Sequence, residues 1–351
     1  MSRESINGDA KAGLSSNADA EPGSSGGLDQ GAPGSGSASF GIACSLVAWF
    51  TFSIGDVGIK YLSGSLPLHQ IVLIRSLTAM VITLCVLMPL EGGYKNLRTK
   101  HLQLHLLRGG CVVIANLTFF IGLASLSLPE ATAIFFVAPV MITVLSFLIL
   151  KEEVGKYRWF AVLLGLIGVL IMLRPGSTSF RLAGLLPLFA AFAYANLNIL
   201  TRKIGIRDKA STMAFYIQLV FITVCSLFGL LFGDGRYADP GNPSIDFLFR
   251  AWVVPSGRDL AIMMVIGVSS AFGGYFISQA YRLTHAVIIA PFEYVALVLS
   301  IFWSVLIWGV WPDLVAWIGI LLIFFSGLLI VWREVLIGKK IATRNPFRKP
   351  R

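Results

Sequence analysis

"VIIAPFEYVALVLSIFWSVLIW", residues 287–308, is apolar almost throughout, yet it carries a carboxylate, Glu293, two positions after Pro291. A helix rises about 1.5 Å per residue, so this run is long enough to cross a hydrocarbon core of roughly 30 Å. Working outward, nine more runs of similar length lie at 40–62, 67–90, 104–127, 129–150, 157–174, 182–204, 211–233, 259–282 and 314–333. In lipid only a helix or a closed barrel meets its own backbone hydrogen bonds, and barrel strands read as short alternating segments. The pattern therefore predicts an all-α membrane protein of ten transmembrane helices.

Composition agrees: the chain is 56% hydrophobic and 13% charged, whereas a soluble domain is about a quarter charged. Residues 1–38, rich in Gly and Ser and without an apolar run, read as a disordered tail. They carry no signal-peptide pattern, so the first run is expected to insert the chain.

The net charge of +10 does not point to nucleic acid, because its distribution follows the bilayer. With the N-terminus inside, 21 of 28 Lys and Arg fall on the cytoplasmic side, Lys95, Arg108, Lys151, Lys203 and Lys209 among them. Only six, including Lys60, Arg236, Arg250 and Arg258, fall outside. This bias predicts both termini in the cytoplasm and a multi-pass protein of the cell (inner) membrane. Residues 335–351 then form a basic cytoplasmic tail.

Metal and redox chemistry find little support. Cys44, Cys85, Cys111 and Cys225 all fall in spans without a C-x-x-C pair, and no acidic or Cys ligand stands near His101 and His105. No metal or cofactor is expected. Zinc-protease, phosphate-loop and nucleophile-elbow patterns do not occur, so an enzyme is not expected either.

The ten runs divide into two fives that echo each other. "GIACSLVAWFTFSIGDVGIKYL" and "GLLPLFAAFAYANLNILTRKIG" place Gly41 opposite Gly184 and Lys60 opposite Lys203, and the same offset sets Arg75 opposite Gln218. Near the ends of the halves, "IGVLIMLRPG" and "SGLLIVWRE" align Gly168 with Gly327. Five is odd, so the second half (182–334) must enter the membrane from the side opposite to the first (39–175). Inverted repeats of this kind belong to secondary transporters, whose substrate site lies near the midplane between the halves. The alternatives are a duplicated, non-transporting membrane scaffold or a membrane enzyme.

"LPEATAIFFVAPVMITVLSFLILKEEVGKYRWFAVLLGLIGVLIMLRPG" (128–176) resembles the fourth and fifth spans of an EamA domain, the repeat unit of the drug/metabolite transporter superfamily. "RLTHAVIIAPFEYVALVLSIFWSVLIWG" is similar to the same region of a second copy. The resemblance covers about 40–335. Where the family usually has Gly-Glu after the fourth span, the first half has Lys151, Glu152 and Glu153, and the second half has Gly309 and Val310 without a carboxylate. The resemblance implies a gradient-driven carrier of a small organic metabolite. An aromatic content of 12% is compatible with a flat ring compound such as riboflavin or a nucleoside-like metabolite. Amino-acid or drug export is the alternative within the same fold. The expected partners are that substrate, the lipid bilayer and protons; a homodimer stays open.

Ionisable groups in spans cost at least about 2.5 kcal/mol, so they mark candidate sites. Glu293 lies roughly 9 Å into its span, and with Ser300 and Ser304 it forms one stripe that is expected to line a cavity. It reads as a proton carrier or a partner for a cationic group, the alternative being a packing hydrogen bond. Arg75 and Asp56 have similar depth and are expected to form a structural ion pair; otherwise Arg75 faces the cavity and holds an anion. Asn116, Tyr194, Asn198, Gln218, Tyr275, Gln279 and Tyr294 complete the candidate pathway. The 234–257 loop is the longest between spans and is expected outside.

Overall fold

In the computed structural model, the described residues are 35–97, 99, 102–151, 155–173, 182–204, 209–283, 289 and 292–342. Side chains of some helical stretches, including 198–204 and 281–283, lie outside the described set. Among the described residues every regular element is helical. They form α1 (Ser35–Leu62), α2 (Leu68–Ile82), α3 (Leu102–Ser125), α4 (Leu128–Phe135), α5 (Ala138–Leu150) and α6 (Lys156–Leu173). Then come α7 (Leu185–Ile204), α8 (Ala210–Phe232), α9 (Pro243–Phe249), α10 (Gly257–Leu283), α11 (Val295–Trp308) and α12 (Leu314–Ala342).

Among the described residues, six stretches are long and apolar enough to span a membrane: Ser39–Leu62, Leu68–Leu90, Leu102–Ser125, Leu128–Ile149, Ala210–Phe232 and Gly257–Ala280. Four shorter apolar helices fall within the other expected runs: Trp159–Leu173, Leu182–Leu197, Val295–Trp308 and Leu314–Leu329. The chain is thus an all-α, multi-pass membrane protein.

Prolines explain the irregular points. Pro139 has no N–H for the Phe135 carbonyl, and the fourth run breaks into α4 and α5 at Phe136 and Val137. Pro89 likewise deprives the Cys85 carbonyl of its donor. The end of α2 widens into a π-helical turn at Thr83–Leu87, in which the Met88 N–H reaches back to Thr83 O. In the ninth run a turn at Tyr294 separates the helical residues Phe292 and Glu293 from α11; Pro291 lies outside the described residues. The start of α4 is set by "SLPE": Ser127 Oγ accepts from the Glu130 N–H (3.4 Å) and Glu130 Oε2 from the Ser127 N–H (3.0 Å), a reciprocal cap.

α1 packs on α10 and α11, and α7 on α3 and α5. α2 packs on α8 and α10, α3 on α8, α4 on α11, and α6 on α12. Glycines set the closest approaches: a Cβ on Gly267 of α10 would meet Arg75 O at 2.8 Å, and one on Gly109 of α3 would meet Val220 Cγ2 at 2.8 Å.

The 234–257 loop is built rather than loose. Asn242 Oδ1 caps α9 by accepting from the N–H groups of Ser244 (3.1 Å) and Ile245 (3.4 Å). Phe247 is fully buried, and Ser244 Oγ donates to Ile121 O near the end of α3 (2.8 Å). Arg250 pairs with Asp246 and donates to Ser63 O (3.0 Å). Gln70 exchanges two hydrogen bonds with Val253 (2.6 and 3.2 Å), and His69 Nδ1 lies 3.3 Å from Leu248 O. The loop therefore straps the end of the bundle where α1 meets α2.

Candidate functional site

Arg75 enters the bundle about 10 Å from the start of α2. α10 presses on its backbone through Gly267, and its guanidinium sits over two rings, Phe221 of α8 at 4.8 Å and Phe120 of α3 at 5.5 Å. The residue is 5% exposed, and its Nε is buried without an acceptor. One turn before Phe221, Gln218 is also buried and its Oε1 has no donor. Aromatic faces attract a guanidinium by about 2 kcal/mol when water is excluded, which does not offset several kcal/mol of lost hydration. The cluster is thus short of one anionic partner.

The expected structural pair with Asp56 does not form. Asp56 is half-buried on α1 and in electrostatic reach of Arg75, but among the described residues the two make no direct ion pair. α1 lies chiefly against α10, whereas Arg75 is drawn onto α3 and α8. Similar depth along two helices did not mean contact between their side chains.

Rings extend from this point through the core. Phe120 touches Phe119 (centroids 5.8 Å), Phe119 touches Phe135 (5.5 Å), and Phe135 touches Tyr194 of α7 (5.5 Å). Phe136, at the break between α4 and α5, faces Tyr294, at the turn before α11, at 5.0 Å. The two irregular points therefore meet. Tyr294 is 4% exposed and its hydroxyl has no partner; Glu293, half-buried, is in electrostatic reach of it.

The remaining candidates separate from this core. Ser300 Oγ donates to Leu297 O of its own helix (2.7 Å) and Ser304 Oγ to Val310 O (3.0 Å). Both serines are buried, and each hydroxyl donates within its own stretch of chain. Asn116 Nδ2 donates to Val112 O (3.0 Å), and Tyr275 packs beside Phe276. The Asn198 side chain lies outside the described residues. Gln279 Nε2 donates to Glu91 Oε1 (3.1 Å).

Glu91 itself was missed as a site, because it falls just beyond the second apolar run. Its Oε2 accepts from the Ser211 N–H at the start of α8 (3.0 Å) and its carbonyl from Lys209 Nζ (2.6 Å). One residue thus ties the ends of α2, α8 and α10, opposite the strap. "PLEGG" signals a helix end, but not this cross-helix role. Arg108, which the charge count placed in the cytoplasm, is half-buried in α3. Among the cysteines Cys85 is exposed rather than packed in the core. No group of three His, Cys, Asp or Glu gathers among the described residues, and His101 lies outside them.

Residues 39–174 match the EamA-like transporter family. A riboflavin transporter of Vibrio cholerae is 31% identical over 288 residues, 80% of this chain and 89% of that protein. An S-adenosylmethionine uptake transporter of Rickettsia prowazekii is 28% identical over 84% of this chain and 93% of its own length. A pseudopaline exporter of Pseudomonas aeruginosa is 25% identical over 78% and 89%. A solved crystal structure superposes with a TM-score of 0.57 at 17% identity, covering 86% of this chain and 99% of that one, which bears on the fold alone.

Proposed function

We propose, for a chain that belongs to the EamA-like transporter family, that it is a gradient-driven, alternating-access carrier of a small metabolite with a flat ring system and an anionic group. The family and its transporter-named relatives support a carrier of small molecules. The substrate type rests on one observation: the guanidinium of Arg75 lies between two rings, short of an acceptor, beside the unfilled Oε1 of Gln218. Rings line the core on the side away from Phe221, and Asp56 in electrostatic reach suits a cationic group on the same substrate. Two relatives named for riboflavin and S-adenosylmethionine make ring-bearing metabolites the first to test.

Ten spans in two inverted five-helix halves (39–175 and 182–334) fit the packing. Exchanging the halves turns the α1–α10 contact into α7–α3, α2–α10 into α8–α3, and α5–α7 into α11–α1, while α2–α8 and α6–α12 map onto themselves. A two-fold axis in the membrane plane has this consequence. Basic residues then orient the protein in the inner membrane with both termini cytoplasmic, the strap outside and Glu91 inside. In this reading rocking of the halves opens one end at a time, and Glu293, at the ninth-run break, carries the driving proton.

The test is transport in sealed vesicles of metabolites that stabilise the purified protein, beginning with S-adenosylmethionine and riboflavin. Accumulation is expected under an imposed proton gradient; Glu293→Gln is expected to abolish accumulation and to keep exchange of labelled for unlabelled substrate. Flux equal to empty vesicles for every stabilising compound contradicts the proposal.

A further inference from the structure

A second guanidinium lies at the other end of the same aromatic run. Arg108 sits twelve residues before Phe120 on α3, about 18 Å along the helix. It is half-buried; its Nη1 meets the sulfur of Met213 on α8, and its Nε is buried without an acceptor. Tyr194 is in electrostatic reach of it. Arg236 has Asp234 and Arg250 has Asp246 as carboxylate partners, whereas Arg258 sits over the Tyr61 ring. Neither Arg75 nor Arg108 has such an ion pair among the described residues.

The two are joined by rings. Tyr194 beside Arg108 touches Phe135 (5.5 Å), Phe135 touches Phe119 (5.5 Å), and Phe119 touches Phe120 (5.8 Å). The Arg75 guanidinium lies 5.5 Å from the Phe120 centroid. Each unpaired guanidinium faces the seam between α3 and α8. Among the described residues Arg108 meets a polarizable thioether in place of a carboxylate, and its planar fork suits a planar anion.

From this we infer that Arg108, with Met213 and Tyr194, is a second binding station for the anionic group of the substrate, at the end of the pathway opposite the strap. The inference rests on Arg75 being the first station. A carboxylate leaving Arg75 then has an equivalent partner at the far end of the rings, while the flat part of the molecule moves along π-faces. The departing anion meets a waiting charge rather than bare hydrocarbon. A lipid phosphate has the same chemistry, so the experiment separates the two sources.

The probe is 4-fluorobenzoate, a ring with one carboxylate, followed by fluorine NMR on the full chain in nanodiscs of phosphatidylcholine alone. The wild type is expected to bind two molecules. Arg108→Gln and Arg75→Gln are each expected to bind one, and the double variant none; the Arg75 station remaining in Arg108→Gln reports that this variant is folded. Met213→Glu, which supplies an internal carboxylate without removing the arginine, is expected to bind one as well. Wild-type binding in both Arg108→Gln and Met213→Glu overturns the second station and leaves the first intact, whereas wild-type binding in Arg75→Gln overturns the first. If Arg108→Gln changes only the phosphatidylglycerol retained in mixed-lipid nanodiscs, the site is a lipid site and the inference fails.

Discussion

Gly267→Ala tests whether the close approach of α10 sets the position of Arg75. A Cβ there would lie 2.5 Å from Thr78 Cβ, 2.8 Å from Arg75 O and 2.9 Å from Thr78 Cγ2. A carbonyl oxygen of the helix backbone cannot swing aside as a flexible side-chain tip can, so α2 and α10 must part by several tenths of an ångström. Overpacking of this kind costs about 1–3 kcal/mol. The substitution also gains up to about 1 kcal/mol of helix propensity, so the informative quantity is a difference. Gly274 lies two turns on in the same helix, and a Cβ there meets nothing within 4 Å. The propensity gain cancels between Gly267→Ala and Gly274→Ala, and the first is expected to be less stable by about 1–3 kcal/mol. Thermal unfolding in detergent should place its midpoint about 2–6 °C lower. Gly267→Ala should also weaken substrate binding, because Arg75 moves with α2. Equal midpoints for the two variants would refute the packing account.

Other outcomes follow from single contacts. Glu91→Ala removes the carboxylate that accepts from the Ser211 N–H and Gln279 Nε2 and should loosen that end of the bundle, read as faster thiol labelling of a cysteine placed at Ser278. Gln70→Leu should cost about 1–3 kcal/mol by stranding the Val253 backbone groups and should raise amide exchange across 243–253. Tyr294→Phe removes a buried hydroxyl without a partner and should raise stability by about 1 kcal/mol, whereas Tyr294→Ala, which opens a cavity between Phe136 and Phe324, should cost about 3–5 kcal/mol; both are read from the unfolding midpoint. Ser300→Ala should leave transport at the wild-type rate, since that hydroxyl already serves Leu297 O.

Much of the fold was legible because lipid imposes length and polarity on each run. Helix breaks at Pro89 and Pro139 follow from a missing N–H and can be read from the letters alone. What could not be read was azimuth. Residues 56 and 75 give two depths, but whether their side chains meet depends on which helices lie between them, and α1 turned out to favour α10. The Glu293, Ser300 and Ser304 stripe was sound as helical geometry, yet the two hydroxyls found carbonyls within their own stretch of chain, which spacing does not reveal. Gln218 and Tyr294 were picked as polar letters in apolar runs; their unfilled atoms became visible only with neighbours in place. Phe120, Phe135 and Phe221 carried no signal, because phenylalanine is ordinary in a membrane helix. Arg108 was read as a topology charge for the same reason: at a helix end, an arginine that anchors and one that faces a pathway look alike.

The most direct measurement compares the affinity of wild-type protein and Arg75→Gln for a metabolite that stabilises the purified carrier, by scintillation proximity with the labelled compound. Loss of a charge-assisted contact worth about 1.5–3 kcal/mol predicts affinity at least about tenfold weaker in the variant, at unchanged folding. Equal affinity in the two proteins would mean that the guanidinium between Phe120 and Phe221 does not hold the substrate, and the account of the site would be wrong.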